Sequence, residues 1–273
     1  MLMIDKGEWC ALILTFGRHS WNWDNTPIEL EGWSAVAMQR PQIVFIDGLP
    51  GSGKSMAATE IGRRLVDSQV FLESQPDHPL LVGVPDERGA AFADIHETHS
   101  PESFAVMALQ KLEGFLNTTK QGVRYVFESH PMQSTVRVLG QLDAPETMIM
   151  KFWSDLQDRL EFTEPRLLYF HENDPRQALK DIIRKRGPTW EKYMVDAFDR
   201  YPWTKARGLS GSDALFAATE EYSKLLDQLA ASWRFPLLTL TARPQNYQQR
   251  TNALIEWIGK SGKDRGPARP LGG

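Results

Sequence analysis

From Ile43 the chain runs Ile-Val-Phe-Ile, an apolar stretch with no polar alternation, and then turns abruptly polar and glycine-rich. A short apolar run of that kind suits a strand buried on both faces, as in a parallel sheet. The same reasoning predicts strands near 43–47, 69–73, 123–128, 166–171 and 236–241. Helical periodicity fills the intervals, over 54–67, 146–161, 189–199, 212–233 and 245–259. Two further helices carry start signals: Ser100 with Pro101 opens one running to about Lys120, and Asp174 with Pro175 opens another that Gly187 ends. Residues 75–99 read as irregular. Strands alternating with helices imply a three-layer α/β fold, a central parallel sheet of about five strands with helices on both faces.

The glycine-rich stretch after the first strand holds Gly48, four residues, then Gly53, Lys54 and Ser55, the spacing of a Walker A phosphate-binding loop. Gly48, Gly51 and Gly53 supply backbone angles that other residues avoid, so successive amides converge on a phosphate at the start of a helix that expects Met56, Ala57, Ile61 and Leu65 on one side. The expected phosphate contacts are Gly48, Pro50, Gly51, Ser52, Gly53, Lys54 and Ser55. Lys54 is expected on the β/γ-phosphates and the Ser55 hydroxyl on Mg²⁺.

Composition narrows the partners. The 273 residues carry 24% charged side chains and a formal net charge of −4. No basic cluster exceeds Arg184-Lys185-Arg186, so a nucleic-acid polymer is not expected. Cys10 is the single cysteine, which excludes an internal disulfide framework and a cysteine-rich zinc site, and points to a reducing, cytoplasmic setting. No apolar stretch approaches the ~18 residues that span a bilayer. The apolar segment Ala11–Phe16 is too short for a signal-peptide core.

Three regions follow: an N-terminal extension of uncertain status over 1–40, a P-loop domain over 41–260 and a solvated tail over 261–273. Trp9, Trp21, Trp23 and Trp33 crowd the extension without clear period. Either they pack on the main domain or translation starts at Met38.

Ligands of open parallel sheets sit beyond the C-terminal strand ends, where Glu73 and Glu128 are expected. A carboxylate there can accept a substrate proton or hold Mg²⁺. Arg184 and Arg186, on the helix after the fourth strand, either offset the helix dipole or fold over a transferred phosphoryl group. Thr189 to Lys192 would form the movable cover. Asp86-Glu87-Arg88-Gly89 matches a GTPase switch pattern, but no guanine-reading element accompanies it. His78 and the His96-Glu97-Thr98-His99 group lack zinc-protease spacing and read as surface histidines.

The phosphate loop, Phe71-Leu72-Glu73, Val126-Phe127-Glu128-Ser129, the strand from Pro165 to Phe170 and Arg184-Lys185-Arg186-Gly187 together resemble the P-loop nucleoside and nucleotide kinases, with deoxyribonucleoside kinases and thymidylate kinase the nearest groups. The resemblance implies ATP and Mg²⁺, a helical lid bearing Arg184 and Arg186, Glu73 as catalytic base, and Glu128 with Ser55 at the metal. The family's Glu-Arg-Ser element departs here: Ser129-His130 follows Glu128, leaving the phosphate-directed arginine unassigned. His130 reads as a polar loop histidine. The acceptor is expected between 73–79 and 128–134. A nucleoside or nucleotide is the implied acceptor, with an antibiotic or other small metabolite as the alternative. A regulatory ATPase acting on a protein partner is the reading from a different class.

Overall fold

The computed structural model describes residues 40–65, 67–75, 77–82, 95, 99–241 and 247–259. The tryptophan-rich extension, the Asp86–Gly89 motif and the tail lie outside them, as do His96, Glu97 and Thr98.

Strands β1 (Gln42–Gly48), β2 (Ser68–Phe71), β3 (Arg124–Glu128), β4 (Glu164–His171) and β5 (Leu237–Thr241) form one sheet in the order β2-β3-β1-β4-β5. Every pairing is parallel, with Ile46 opposite Glu128 and Gly48 opposite Phe170. The uninterrupted apolar run of β1 is explained by this central place. Ile43 and Phe45 enter one core, and Val44 and Ile46 enter the other. Leu167 and Tyr169 of β4 side with the first pair, and Leu168 and Phe170 with the second.

The helices are α1 (Lys54–Arg64), α2 (Pro101–Leu116), α3 (Arg137–Gln141), α4 (Glu146–Leu160), α5 (Pro175–Arg186), α6 (Pro188–Phe198), α7 (Pro202–Ala206), α8 (Gly211–Ala231) and α9 (Tyr247–Gly259). One face of the sheet is covered by α2, α4 and the second half of α8, through Phe104, Leu112, Phe152, Trp153, Leu226 and Leu229. The opposite face is covered by α1 and α9, through Ala57, Ala58, Ile61, Leu254 and Ile258. Met56, assigned to that face from the sequence, is exposed. A smaller cluster built on Leu179, Phe198 and Leu215 joins α5, α6 and the start of α8. That cluster is the helical addition beyond β4 that the sequence predicted as a lid.

The start signals act as read. The Ser100 side chain accepts from the Ser103 amide at 3.2 Å, and Asp174 accepts from the Gln177 amide at 2.8 Å. Helix α2 stops at Leu116 rather than near Lys120 because the Thr118 and Thr119 hydroxyls take the Phe115 and Leu116 carbonyls at 2.7 and 2.8 Å. The short α7 and the segment 132–141 were not anticipated. The latter begins with a π-helical turn over Met132–Val136, in which the Ser134 amide reaches the Ser129 carbonyl at 2.9 Å. Such turns recur at functional sites.

Candidate active site

The phosphate loop closes β1 with Gly48, Gly51 and Gly53 all at positive φ. A Cβ on Gly48 would stand 2.7 Å from the Phe170 carbonyl oxygen, so the strand-to-loop transition admits no side chain there. A Cβ on Gly51 would meet Ile182 of α5 at 2.8 Å, which places α5 directly against the loop. Lys54 is buried, and its ammonium donates to the carbonyls of Gly48 and Leu49 at 3.1 and 2.8 Å. Burial pulls the Lys54 pKa down, against the attraction of Asp47, Glu128 and Glu73. Ser52 is buried and Pro50 partly buried in the same loop.

The strand-end carboxylates converge on this loop. Glu128 accepts the Ser55 hydroxyl at 2.9 Å and the Ser129 hydroxyl at 2.7 Å on Oε1, while Oε2 accepts the Glu73 amide at 3.0 Å. Glu73 lies just beyond the end of the short edge strand β2. Its Oε2 accepts from the Gln133 side-chain amide at 2.6 Å, and its Oε1 is 3.6 Å from an Arg137 nitrogen. Burial raises the Glu73 pKa, and the nearby positive charges of Arg137 and Lys54 oppose that rise.

Three of these partners escaped the sequence reading. Asp47 is the fully buried penultimate residue of β1. Its Oδ1 accepts the Gly48 and Gln133 amides, both at 3.1 Å, and its Oδ2 the Met132 amide at 2.7 Å. Burial lifts its pKa to about 7 despite Lys54 and those three N–H bonds. An acid inside an otherwise apolar strand was the signal available. Gln133 and Arg137 gave none, because the π-helical turn that aims them has no plain periodicity. Arg137 nevertheless supplies a cation beside Glu73, in the region where the motif following Glu128 lacks one.

Two histidine readings are corrected. His78 is buried rather than on the surface: its Nδ1 accepts from the Leu80 amide at 3.2 Å, and burial lowers its pKa to about 4. His130 is buried too, with its Nδ1 2.6 Å from the Ser134 hydroxyl. It packs on Phe45, His78 and Phe127, and burial holds its pKa well below the usual value, so it brings no positive charge to a phosphate.

Arg184 and Arg186 are exposed at the end of α5. Arg184 pairs with Asp181 at 3.1 Å, and the Arg186 guanidinium lies over the Trp190 ring at 5.0 Å. The structure brings Lys54, Ser55, Glu73 and Glu128 together and leaves both arginines outside that set of contacts.

No family model matches the chain, and no curated protein sequence does. Among solved structures it is similar to thymidylate kinase from Candida albicans, at 13% identity and a TM-score of 0.48 over 80% of this chain and 91% of that one. It is also similar to EHV4-TK complexed with TP4A, at 10% identity and a TM-score of 0.32, and with TP5A, at 11% and 0.32, each over 80% of this chain and 90% of that one. The P-loop α/β architecture stands on the sheet order and the phosphate loop themselves. No helix among the described residues is long and apolar enough to cross a membrane.

Proposed function

We propose that this chain is an ATP-dependent phosphotransferase that moves the γ-phosphoryl group to a small-molecule acceptor, a nucleoside or nucleotide or another small hydroxylated molecule. One observation carries the reading: the Ser55 hydroxyl of the phosphate loop, the strand-end Glu128 and the Glu73 backbone form a continuous hydrogen-bonded link. It joins the residue type that holds Mg²⁺ in such loops to a half-buried carboxylate suited to accept a proton.

The residues fit Mg²⁺. Ser55 and Glu128 offer hard oxygen donors, which this ion prefers. Mg²⁺ in such sites is held by one or two protein ligands and by phosphate oxygens. When bound, Mg²⁺ supplies charge neutralisation on the phosphates. Gly48, Pro50, Gly51, Ser52 and Gly53 would cradle the triphosphate with backbone amides. Lys54 would leave the Gly48 and Leu49 carbonyls for phosphate oxygens. Glu73 would take the acceptor's proton, with Gln133 fixing its orientation and Arg137 its charge. Arg184 and Arg186 would reach the transferred group through closure of α5, which already touches the loop at Gly51.

Purified protein incubated with labelled ATP, Mg²⁺ and a panel of nucleosides, nucleotides and aminoglycosides tests this. Acceptor-dependent transfer that Lys54→Ala abolishes is the expected result. Hydrolysis to ADP that ignores every acceptor and rises with a protein partner would replace it with the regulatory reading.

A further inference from the structure

A cavity of about 470 Å³ lies against the phosphate loop, and Leu49 and Pro50 of that loop form part of its wall. Arg137, the partner of Glu73, lines it as well. Any occupant therefore borders both the loop expected to carry the phosphoryl donor and the cation beside the expected base.

Part of the rest of the wall is aromatic and apolar: Trp190, Met194 and Phe198 from α6, Tyr201 and Trp203 at α7, and Tyr222 of α8. Aromatic walls of this kind stack on planar rings. The Tyr222 hydroxyl is buried with no hydrogen-bond partner among the described residues, a group that a ligand heteroatom would satisfy.

Charge on the wall is balanced. Arg207 pairs with Asp143 at 2.6 Å and stands 3.9 Å from Glu221, and Arg137 pairs with Glu73 at 3.6 Å. Glu146 occupies the first turn of α4, where its negative charge suits the helix start, and Lys224 is exposed. A phosphate dianion needs converging cations free to hold it. Here Arg137 would have to leave Glu73, which is partly buried, and Arg207 would have to leave Asp143, to hold a phosphate.

We infer that this cavity, and not the space between 73–79 and 128–134 expected from the sequence, holds the body of the phosphoryl acceptor, and that the acceptor is an uncharged molecule with a flat apolar ring and a hydroxyl group, not a phosphate monoester. The inference rests on the proposed phosphotransferase activity for the role of the ligand, though not for its binding. In the reaction the acceptor hydroxyl oxygen bonds to the γ-phosphorus of ATP while the bond from that phosphorus to the β,γ-bridging oxygen breaks. ADP leaves, and the hydroxyl proton passes to Glu73.

The test is calorimetric titration of the full chain, without nucleotide, against two matched pairs: thymidine with thymidine 5′-monophosphate, and 2-naphthylmethanol with its phosphate monoester. At least one neutral member should bind about tenfold or more tighter than its ester, the ratio expected when a charge enters without free partners. Met194→Trp and Ala178→Leu, which fill the cavity, should each weaken that binding about tenfold, with circular dichroism checking the fold. If neither variant folds, the ratio in the parent protein decides alone. Esters that bind as well as or better than the alcohols overturn the inference, as do absence of binding in both pairs and neutral binding that folded cavity-filling variants leave unchanged. Binding of MgATP is titrated separately. Its absence would sink the phosphotransferase reading while a positive cavity result stood, and its presence with an unresponsive cavity would do the reverse.

Discussion

Ser55 and Glu128 stand 73 residues apart in the chain and share a hydrogen bond of 2.9 Å. Parallel pairing of β1 with β3 brings the two loops together, because Ile46 and Glu128 occupy the same register. If the pair forms one metal-binding unit, removing either member removes most of what both contribute. Ser55→Ala and Glu128→Gln should each weaken Mg²⁺-dependent ATP binding about tenfold, and the double variant should lose little more. Titration with ATP in the presence and absence of Mg²⁺ checks this. Fully additive losses would separate the two residues.

Glu73→Gln should retain ATP binding and lower phosphoryl transfer by roughly 10²–10⁴-fold, the range for a removed general base. Burial raises the Glu73 pKa, so the rate of the parent protein should climb with pH along a limb lying above the ordinary carboxylate range. Steady-state rates across pH would show that limb missing from the variant. An unchanged profile would take Glu73 out of the base role.

Asp47 ties the loop to the turn that carries Gln133. Its carboxyl is raised from 3.8 to about 7 on folding, so between those values the folded protein holds a proton that the unfolded chain releases. Stability from this group is therefore present at low pH and declines as pH rises toward 7. Between pH 5 and pH 8 the parent should lose about 2 kcal/mol of stability relative to Asp47→Asn, which has no such proton. Urea denaturation of both proteins at the two pH values measures the difference. A constant gap would show that Asp47 stays ionised throughout.

Gly51→Ala meets two obstacles, a φ of +80° and Ile182 at 2.8 Å. The substitution should cost about 2 kcal/mol or more, of which the left-handed backbone accounts for roughly 1. Adding Ile182→Ala removes the clash and leaves the strain, so the double variant should recover only part of the loss attributed to Gly51. Thermal denaturation of the parent, both single variants and the double variant resolves the two contributions.

Arg184 and Arg186 are exposed, with one partner an acid on the same helix and the other an aromatic ring. Their replacement by alanine should change stability by no more than about 0.5 kcal/mol. Phosphoryl transfer should nevertheless fall by at least about tenfold if α5 closes over the loop. Equal activity would assign them to the helix dipole alone.

The local sequence settled the strands, the phosphate loop and the capped helices, because each depends on residues adjacent in the chain. An apolar run such as Ile43–Ile46 has one economical place, in the middle of a parallel sheet, and Asp174 with Pro175 starts a helix wherever it is put. Glu73 and Glu128 were legible as strand-end acids for the same reason. Tertiary structure alone decided what surrounds them. The carboxylate of Asp47 is held by amides of a turn distant in sequence, and Arg137 reaches Glu73 from the start of α3, directly after a π-helical turn whose spacing matches neither helix nor strand. His78 and His130 are polar by composition and buried by packing, since their rings fill space beside Phe45 and Phe127 that no local pattern describes. Burial and charge balance are sums over neighbours from many segments, so they appear only once the chain has folded.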